Sequence, residues 1–278
     1  MRRFSFDGRK LKVKRSQVDI ETVRQHWLEA GTNFTDNDGV TPTSRDPYLG
    51  ELEEAAILRR LPPTGRVLDL GCGDGRHTVR YARAVARVVG VDYVASLLER
   101  AQARAVSERV DIDFVEASAL ALEDRFPRAS FDAVISQRCL INLPSWDLQQ
   151  QALRQVHHVL RPEGLLLLSE GFLEPFDRLN ALRQATGLHE IPVSEYNLFF
   201  SQPAFEAFVS DLFVIRAAEH YGIYLTLSRV LHPLAVAPNP PRHNGELNRL
   251  ARVIAEAVGN EPDFARYSYN LFYVLERR

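Results

Sequence analysis

The stretch Val-Leu-Asp-Leu-Gly-Cys-Gly-Asp-Gly-Arg-His-Thr, residues 67–78, decides how the rest of the chain is read. A short apolar run ends in glycines at 71, 73 and 75, and then the sequence turns polar. A run of that length is a buried strand. A glycine loop following it lets the backbone approach a ligand closely.

The same rhythm continues outward. ARVVGV (86–91), residues 110–115, Phe131–Ser136 and LLLLSE (165–170) are further short apolar runs. Helical segments at 76–86, 94–108 and 147–160 separate them. Strands alternating with helices of this size build parallel βαβ units, covered on both faces. The fold class expected is a doubly wound α/β sheet. Upstream, a helix near 18–30, a loop rich in turn formers and a helix over 51–61 come before the first strand. After Glu170 the alternation stops. Residues 171–210 are mixed and hold the aromatic run EYNLFF, and FVIRAAEHYGIYLTLSRVL contains another strand. Residues 233–245 are a Pro/Asn loop, followed by the amphipathic helix ELNRLARVIAEAV with Leu247, Leu250, Ala251, Ile254 and Val258 aligned. SYNLFYVLE closes the chain as a strand.

Composition narrows the class. The 278 residues are 45% hydrophobic and 25% charged with a net charge of −2, which gives no whole-protein field for nucleic acid. Two cysteines, Cys72 and Cys139, leave no disulfide framework, and a reducing cytoplasm is the expected compartment. No apolar run reaches the roughly 18 residues a membrane span needs. No histidine and acid spacing points to a metal. Residues 1–17 carry seven basic side chains against one acid, a solvated arm or an arm for an anionic partner such as RNA.

Two ligands suit a strand–glycine loop–helix. A dinucleotide needs G-x-G-x-x-G with its pyrophosphate on the helix N-terminus. Here the third glycine falls one position early, and Asp69 and Asp74 oppose a pyrophosphate. Those acids suit the ammonium and sulfonium of S-adenosylmethionine. Asp92, after the second strand, is positioned to accept from both ribose hydroxyls.

VLDLGCGDG, VVGVDYVASLLERAQ, SFDAVISQRCLINL and HHVLRPEGLLLLSEG resemble consecutive signature segments of class I S-adenosylmethionine-dependent methyltransferases, over about residues 50–170. SYNLFYVLERR is similar to the family's antiparallel last strand. The resemblance implies a seven-stranded, mostly parallel Rossmann-like sheet over residues 50–278. It also implies a basic arm and N-terminal cap over 1–49 and substrate-side insertions at about 171–210 and 222–262. It assigns Gly71, Cys72, Gly73 and Gly75 to the methionine moiety, Asp69 to the loop or the amino group, and Asp92 to the ribose. Tyr93 goes to the adenine face and Gln137 to the methyl donor. Where the family carries an acid after the third strand, this chain has Ser118-Ala119. Arg45 and Tyr48 are expected to meet the methionine carboxylate from the N-terminal segment.

Methyl transfer is an in-line displacement that needs alignment and, for a hydroxyl acceptor, a base. Glu170, at the end of the fifth strand, and His232, in the second insertion, are the candidates. The inserts resemble substrate caps of small-molecule and sugar methyltransferases. O-methylation of a small or glycan-like acceptor is therefore expected. N-methylation, RNA methylation through the basic arm and a non-catalytic binding module are the rivals. The sequence leaves monomer and homodimer open.

Overall fold

Each of the first strands sends alternate side chains to opposite faces, and this builds two apolar layers around one sheet. Leu68, Leu70, Val89, Val91, Val134, Leu166 and Leu168 enter one layer. Val67, Val88, Ala133, Ile135 and Leu167 enter the other. The computed structural model describes residues 18–33, 35 and 45–278. The expectation for the basic segment 1–17 lies outside them.

The strands are β1 (Arg66–Leu70), β2 (Arg87–Asp92), β3 (Asp113–Glu116), β4 (Phe131–Gln137), β5 (Leu160–Gly171), β6 (Phe213–His220) and β7 (Asn270–Arg277). Their order is β3-β2-β1-β4-β5-β7-β6. Neighbours from β3 to β5 run parallel. β7 is antiparallel to both β5 and β6. The seven-stranded, mostly parallel sheet is therefore present. The strand order reverses between β1 and β4, and a sheet of this kind opens a crevice at the carboxyl ends there.

The helices before β3 are α1 (Ile20–Thr32), α2 (Pro47–Leu58), α3 (Thr78–Tyr81) and α4 (Ala95–Glu108). α5 (Trp146–Val159) joins β4 to β5, and α6 (Leu173–Ala185) and α7 (Gln202–Leu212) join β5 to β6. Between β6 and β7 come α8 (Gly222–Thr226), a π-helical turn (Leu227–Leu231), α9 (His232–Val236), α10 (Glu246–Val258) and α11 (Pro262–Ala265).

Three local expectations change. The helix expected over 76–86 shortens to one turn, α3. The strand expected over 165–170 begins earlier, at Leu160, and within it Glu163 takes a left-handed conformation (φ 61°). The loop expected from Pro233 starts later, because a proline in the first turn of α9 needs no amide partner. Among the described residues, no helix is long and apolar enough to cross a membrane.

Candidate functional site

The crevice at the switch point holds a cavity of about 520 Å³, within the range of small-ligand sites. It is lined from the carboxyl ends of four of the parallel strands: Asp69 to Asp74 at β1, Asp92 and Tyr93 at β2, Glu116 to Leu120 at β3, and Gln137 to Cys139 at β4.

The glycine loop is held by its neighbours. The amides of Gly71 and Cys72 both donate to the Val91 carbonyl, at 2.7 and 2.9 Å. Gly71, Gly73 and Gly75 all have positive φ, at 73°, 54° and 73°. A Cβ on Gly71 would sit 2.5 Å from Cys139 Sγ, and one on Gly75 would sit 2.8 Å from the Ala101 Cβ of α4. Gly75 thus serves loop-to-helix packing and is absent from the cavity lining.

Asp92 braces the loop from beneath. Its Oδ2 accepts from the Gly73 amide at 2.9 Å and its Oδ1 from the Val94 amide at 3.0 Å. Each carboxylate oxygen keeps a further lone pair for a hydroxyl donor. Burial raises its pKa against those two bonds. Asp69 is buried too and accepts from Thr78 Oγ1 at 2.6 Å, which ties the loop to α3. Burial pushes its carboxyl up to about 6, and the Thr78 bond opposes that. Ser118 Oγ accepts from the Leu120 amide at 3.2 Å and so shapes the loop after β3.

Several sequence expectations need correction. Asp74 lines the cavity, but its carboxylate pairs with Arg104 Nη2 of α4 at 2.9 Å. Its charge is already answered, so the acid opposed to a pyrophosphate is Asp69. Arg45 and Tyr48 do not line the cavity. The N-terminal cover is α1, whose Val23, Arg24 and Trp27 do. Gly31 seats α1 on α4, since a Cβ there would meet Ser96 Oγ at 2.5 Å. Tyr196, from the connection between α6 and α7, stacks on His26 with ring centroids 3.8 Å apart and fixes the other side.

Neither candidate base faces the cavity. Glu170 is fully buried, and its carboxylate accepts from Ser136 Oγ at 2.7 Å and from the amides of Cys139, Leu140 and Ile141. Burial pushes it up to about 7 against those four bonds. It braces the turn after β4. His232 is buried elsewhere, with Nδ1 2.7 Å from Asn248 Oδ1. Asn248 also donates to Tyr224 Oη and Ser228 Oγ. That network ends on Asp46, which accepts from Tyr224 at 2.6 Å and pairs with Arg229 at 2.5 Å. It ties α2 to the cap helices.

The group the sequence reading missed is His77, which lines the cavity. Its Nδ1 lies 2.7 Å from Glu54 Oε2, and its Nε2 has no partner within the protein. Burial would raise Glu54, but hydrogen bonds from His77 and Arg80 outweigh it and hold the carboxyl low. The signal was present in the quoted stretch, three residues past Asp74, but its partner stands on α2.

Residues 67–164 match the family model described as a methyltransferase domain, and they span the strands β1 to β4 and the loops that line the cavity. The chain carries a class I S-adenosylmethionine-dependent methyltransferase domain. It is 39% identical over 112 residues to a 27-O-demethylrifamycin SV methyltransferase of Amycolatopsis mediterranei, covering 40% of each chain. It is 33% identical over 135 residues to a ubiquinone/menaquinone biosynthesis C-methyltransferase of Vibrio vulnificus, covering 47% of this chain and 50% of that one. The chain thus spans about half the length of the curated relatives it matches. A solved protein of Pyrococcus horikoshii shares the fold at a TM-score of 0.56 and 19% identity, over 83% of this chain and 91% of that one. The methyltransferase domain has a cavity suited to S-adenosylmethionine, because glycine-loop backbone at Gly71 and Gly73 lines it together with the carboxylates of Asp69 and Asp92. Among the described residues, no group of three or more His, Cys, Asp and Glu side chains could hold a metal.

Proposed function

We propose that this chain transfers a methyl group from S-adenosylmethionine to a hydroxyl of a small-molecule acceptor. The observation that carries the reading is the cavity itself, with Asp92 held by two amides beside a glycine loop at the sheet's switch point. The Gly71–Gly73 backbone and Asp69 would hold the methionine part, and Asp92 the ribose. Tyr93, Ser118 and Ala119 would flank the adenine, and Gln137 would border the donor's methyl end. The bound donor supplies an electrophilic methyl group, and the protein supplies alignment and exclusion of water.

His77 is the side chain we propose as the base. With Nδ1–H donating to Glu54, Nε2 is the basic nitrogen, and an ionised Glu54 stabilises the imidazolium that forms. This reading replaces Glu170 and His232. An O-methyl acceptor agrees with the printed name of one relative, and another relative is named a C-methyltransferase.

The test has two arms. Asp92→Ala is expected to weaken S-adenosylhomocysteine binding by about 1–3 kcal/mol in titration calorimetry, because ribose hydroxyls lose their acceptor. Affinity equal to the parent chain would remove Asp92 from the site. His77→Ala is expected to keep that affinity and lower turnover about 100-fold on a panel of phenols and sugar alcohols, read with radiolabelled donor. Undiminished turnover on a hydroxyl acceptor would show that no base at residue 77 is needed.

A further inference from the structure

Arg138 follows β4 on the wall of the cavity and takes a left-handed conformation, at φ 54°. Such a backbone is costly for a residue with a side chain, and it persists where surrounding bonds hold it. Here the Arg138 amide donates to the Ser169 carbonyl at 2.8 Å, and its carbonyl accepts from Asn142 Nδ2 at 2.9 Å. Successive side chains of a strand point to opposite faces. At this turn Gln137 and Arg138 instead reach one oxygen. Glu53 Oε2 accepts from Gln137 Nε2 at 3.0 Å and lies 3.4 Å from Arg138 Nε. Glu53 also accepts from Ser169 and Asn270, so it answers the guanidinium only in part. The Nε edge of Arg138 thus faces Glu53, while the side chain stays 24% exposed and its terminal nitrogens bond no group among the described residues.

Other polar atoms gather at the same end. The Leu198 amide donates to the Ile141 carbonyl at 2.6 Å, which lays the connection between α6 and α7 on the turn after β4. Two residues earlier, Tyr196 meets Trp27 of α1 edge-on, with ring centroids 5.7 Å apart. Trp27 is carried to this end of the cavity by that contact. Its Nε1, like Asn142 Oδ1, is buried with no hydrogen-bond partner among the described residues, and both residues line the cavity. Buried polar atoms are normally paired, so these two are set for groups of a ligand. His77 reaches the same region through Tyr81, on which its ring stacks and whose Oη donates to Gln137.

From this arrangement we infer that the acceptor carries a carboxylate, received end-on by Nη1 and Nη2 of Arg138 while the acceptor's hydroxyl faces His77. The inference rests on the pose proposed above, in which Gln137 borders the methyl end of S-adenosylmethionine. A planar guanidinium matches a carboxylate with two parallel hydrogen bonds. Charge points the same way. The methyl donor brings a sulfonium and an ammonium against one carboxylate, and a guanidinium beside its methyl end is stabilised by a further anion. The methyl donor's own carboxylate belongs at the glycine-loop end of that pose, which leaves the acceptor to supply the anion.

The experiment uses the full chain saturated with S-adenosylhomocysteine. Hydroxybenzoates and hydroxycinnamates are titrated against their primary amides and followed by ligand-observed NMR. The acids are expected to bind about tenfold more tightly than the amides. Arg138→Gln is expected to make acid and amide equal, with S-adenosylhomocysteine affinity and circular dichroism unchanged. Arg138→Lys keeps a charge beside Glu53 and is expected to retain a preference of about threefold, because a point charge replaces the fork. Acids that bind no better than their amides, or not at all, would overturn the inference. So would a preference that survives Arg138→Gln. Arg138→Gln that weakens S-adenosylhomocysteine but not 5′-methylthioadenosine, which lacks the amino-acid end, would give Arg138 to the methyl donor and overturn it too. His77→Ala is expected to keep the preference for acids. Failure of the hydroxyl-acceptor reading is therefore seen in turnover alone, with acid binding intact.

Discussion

Gly71→Val is expected to weaken S-adenosylhomocysteine binding about 1,000-fold, while the chain remains folded. Two separate costs act at this position. The backbone sits at φ 73°, which a β-branched residue adopts only at a cost of about 1–3 kcal/mol. In addition, a Cβ would lie 2.5 Å from Cys139 Sγ and 2.8 Å from Cys139 Cβ, an overlap that costs about 1–3 kcal/mol more. The loop can relieve both only by moving away from Cys139. That movement would break the amide bonds from Gly71 and Cys72 to the Val91 carbonyl, which set the height of the cradle. The global core is spared because Gly71 lies at the strand's end, past the buried Leu70. Combining Gly71→Ala with Cys139→Ala separates the two costs. Removal of the sulfur is expected to recover about tenfold of the affinity lost by Gly71→Ala, leaving the φ penalty behind. Calorimetry that gives parent affinity for Gly71→Val would mean that the ligand does not lie on this loop.

The parts of this molecule legible in its sequence are those fixed by local pattern. β1, β2, β4 and β5 appear as apolar runs because both faces of a central parallel strand are buried. The glycine loop appears because three positive φ angles leave few other residues possible. What could not be read depends on which distant side chain turns toward which. Asp74 reads locally as a charge facing the ligand, but Arg104, thirty residues on, lies against it. Glu170 ends a strand whose carboxyl edge borders the cavity, yet its side chain turns into the buried amides of Leu140 and Ile141 in the Leu140–Asn142 turn. Helix periodicity in α10 was right in spacing and wrong in phase. Two alanines and an asparagine allow closer approach to α2 and α8 than leucines would, and packing distance chose the small face. α1 was visible as a helix, but its function as cover follows from Gly31 against α4 and His26 against Tyr196, contacts that no local pattern encodes.

Glu53→Ala is expected to reduce folding stability by about 3–5 kcal/mol, the cost of removing one partner from a buried charged cluster. Glu53 lies on α2 and is fully buried against the carboxyl ends of β4 and β5 and the amino end of β7. Its Oε1 accepts from Ser169 Oγ of β5 at 2.9 Å and from Asn270 Nδ2 of β7 at 2.8 Å. Its Oε2 accepts from Gln137 Nε2 of β4 at 3.0 Å, and Arg138 Nε lies 3.4 Å away. Truncation to alanine leaves these donors buried with no acceptor and leaves the Arg138 charge unanswered. Glu53→Gln keeps the volume but turns an amide nitrogen toward donors, so a smaller loss of about 1–3 kcal/mol is expected. Urea unfolding followed by tryptophan fluorescence distinguishes the two, and an alanine variant within 1 kcal/mol of the parent would show that the cluster does not hold α2 to the sheet. The effect also reaches the cavity. Gln137 is fixed on one side by Glu53 and on the other by Tyr81 Oη, which donates to its Oε1 at 3.1 Å. Losing Glu53 frees the amide end of a residue that borders the cavity, and α2 carries Glu54, the partner of His77, on the next position. One buried carboxylate therefore positions both the floor of the cavity and the histidine on its wall.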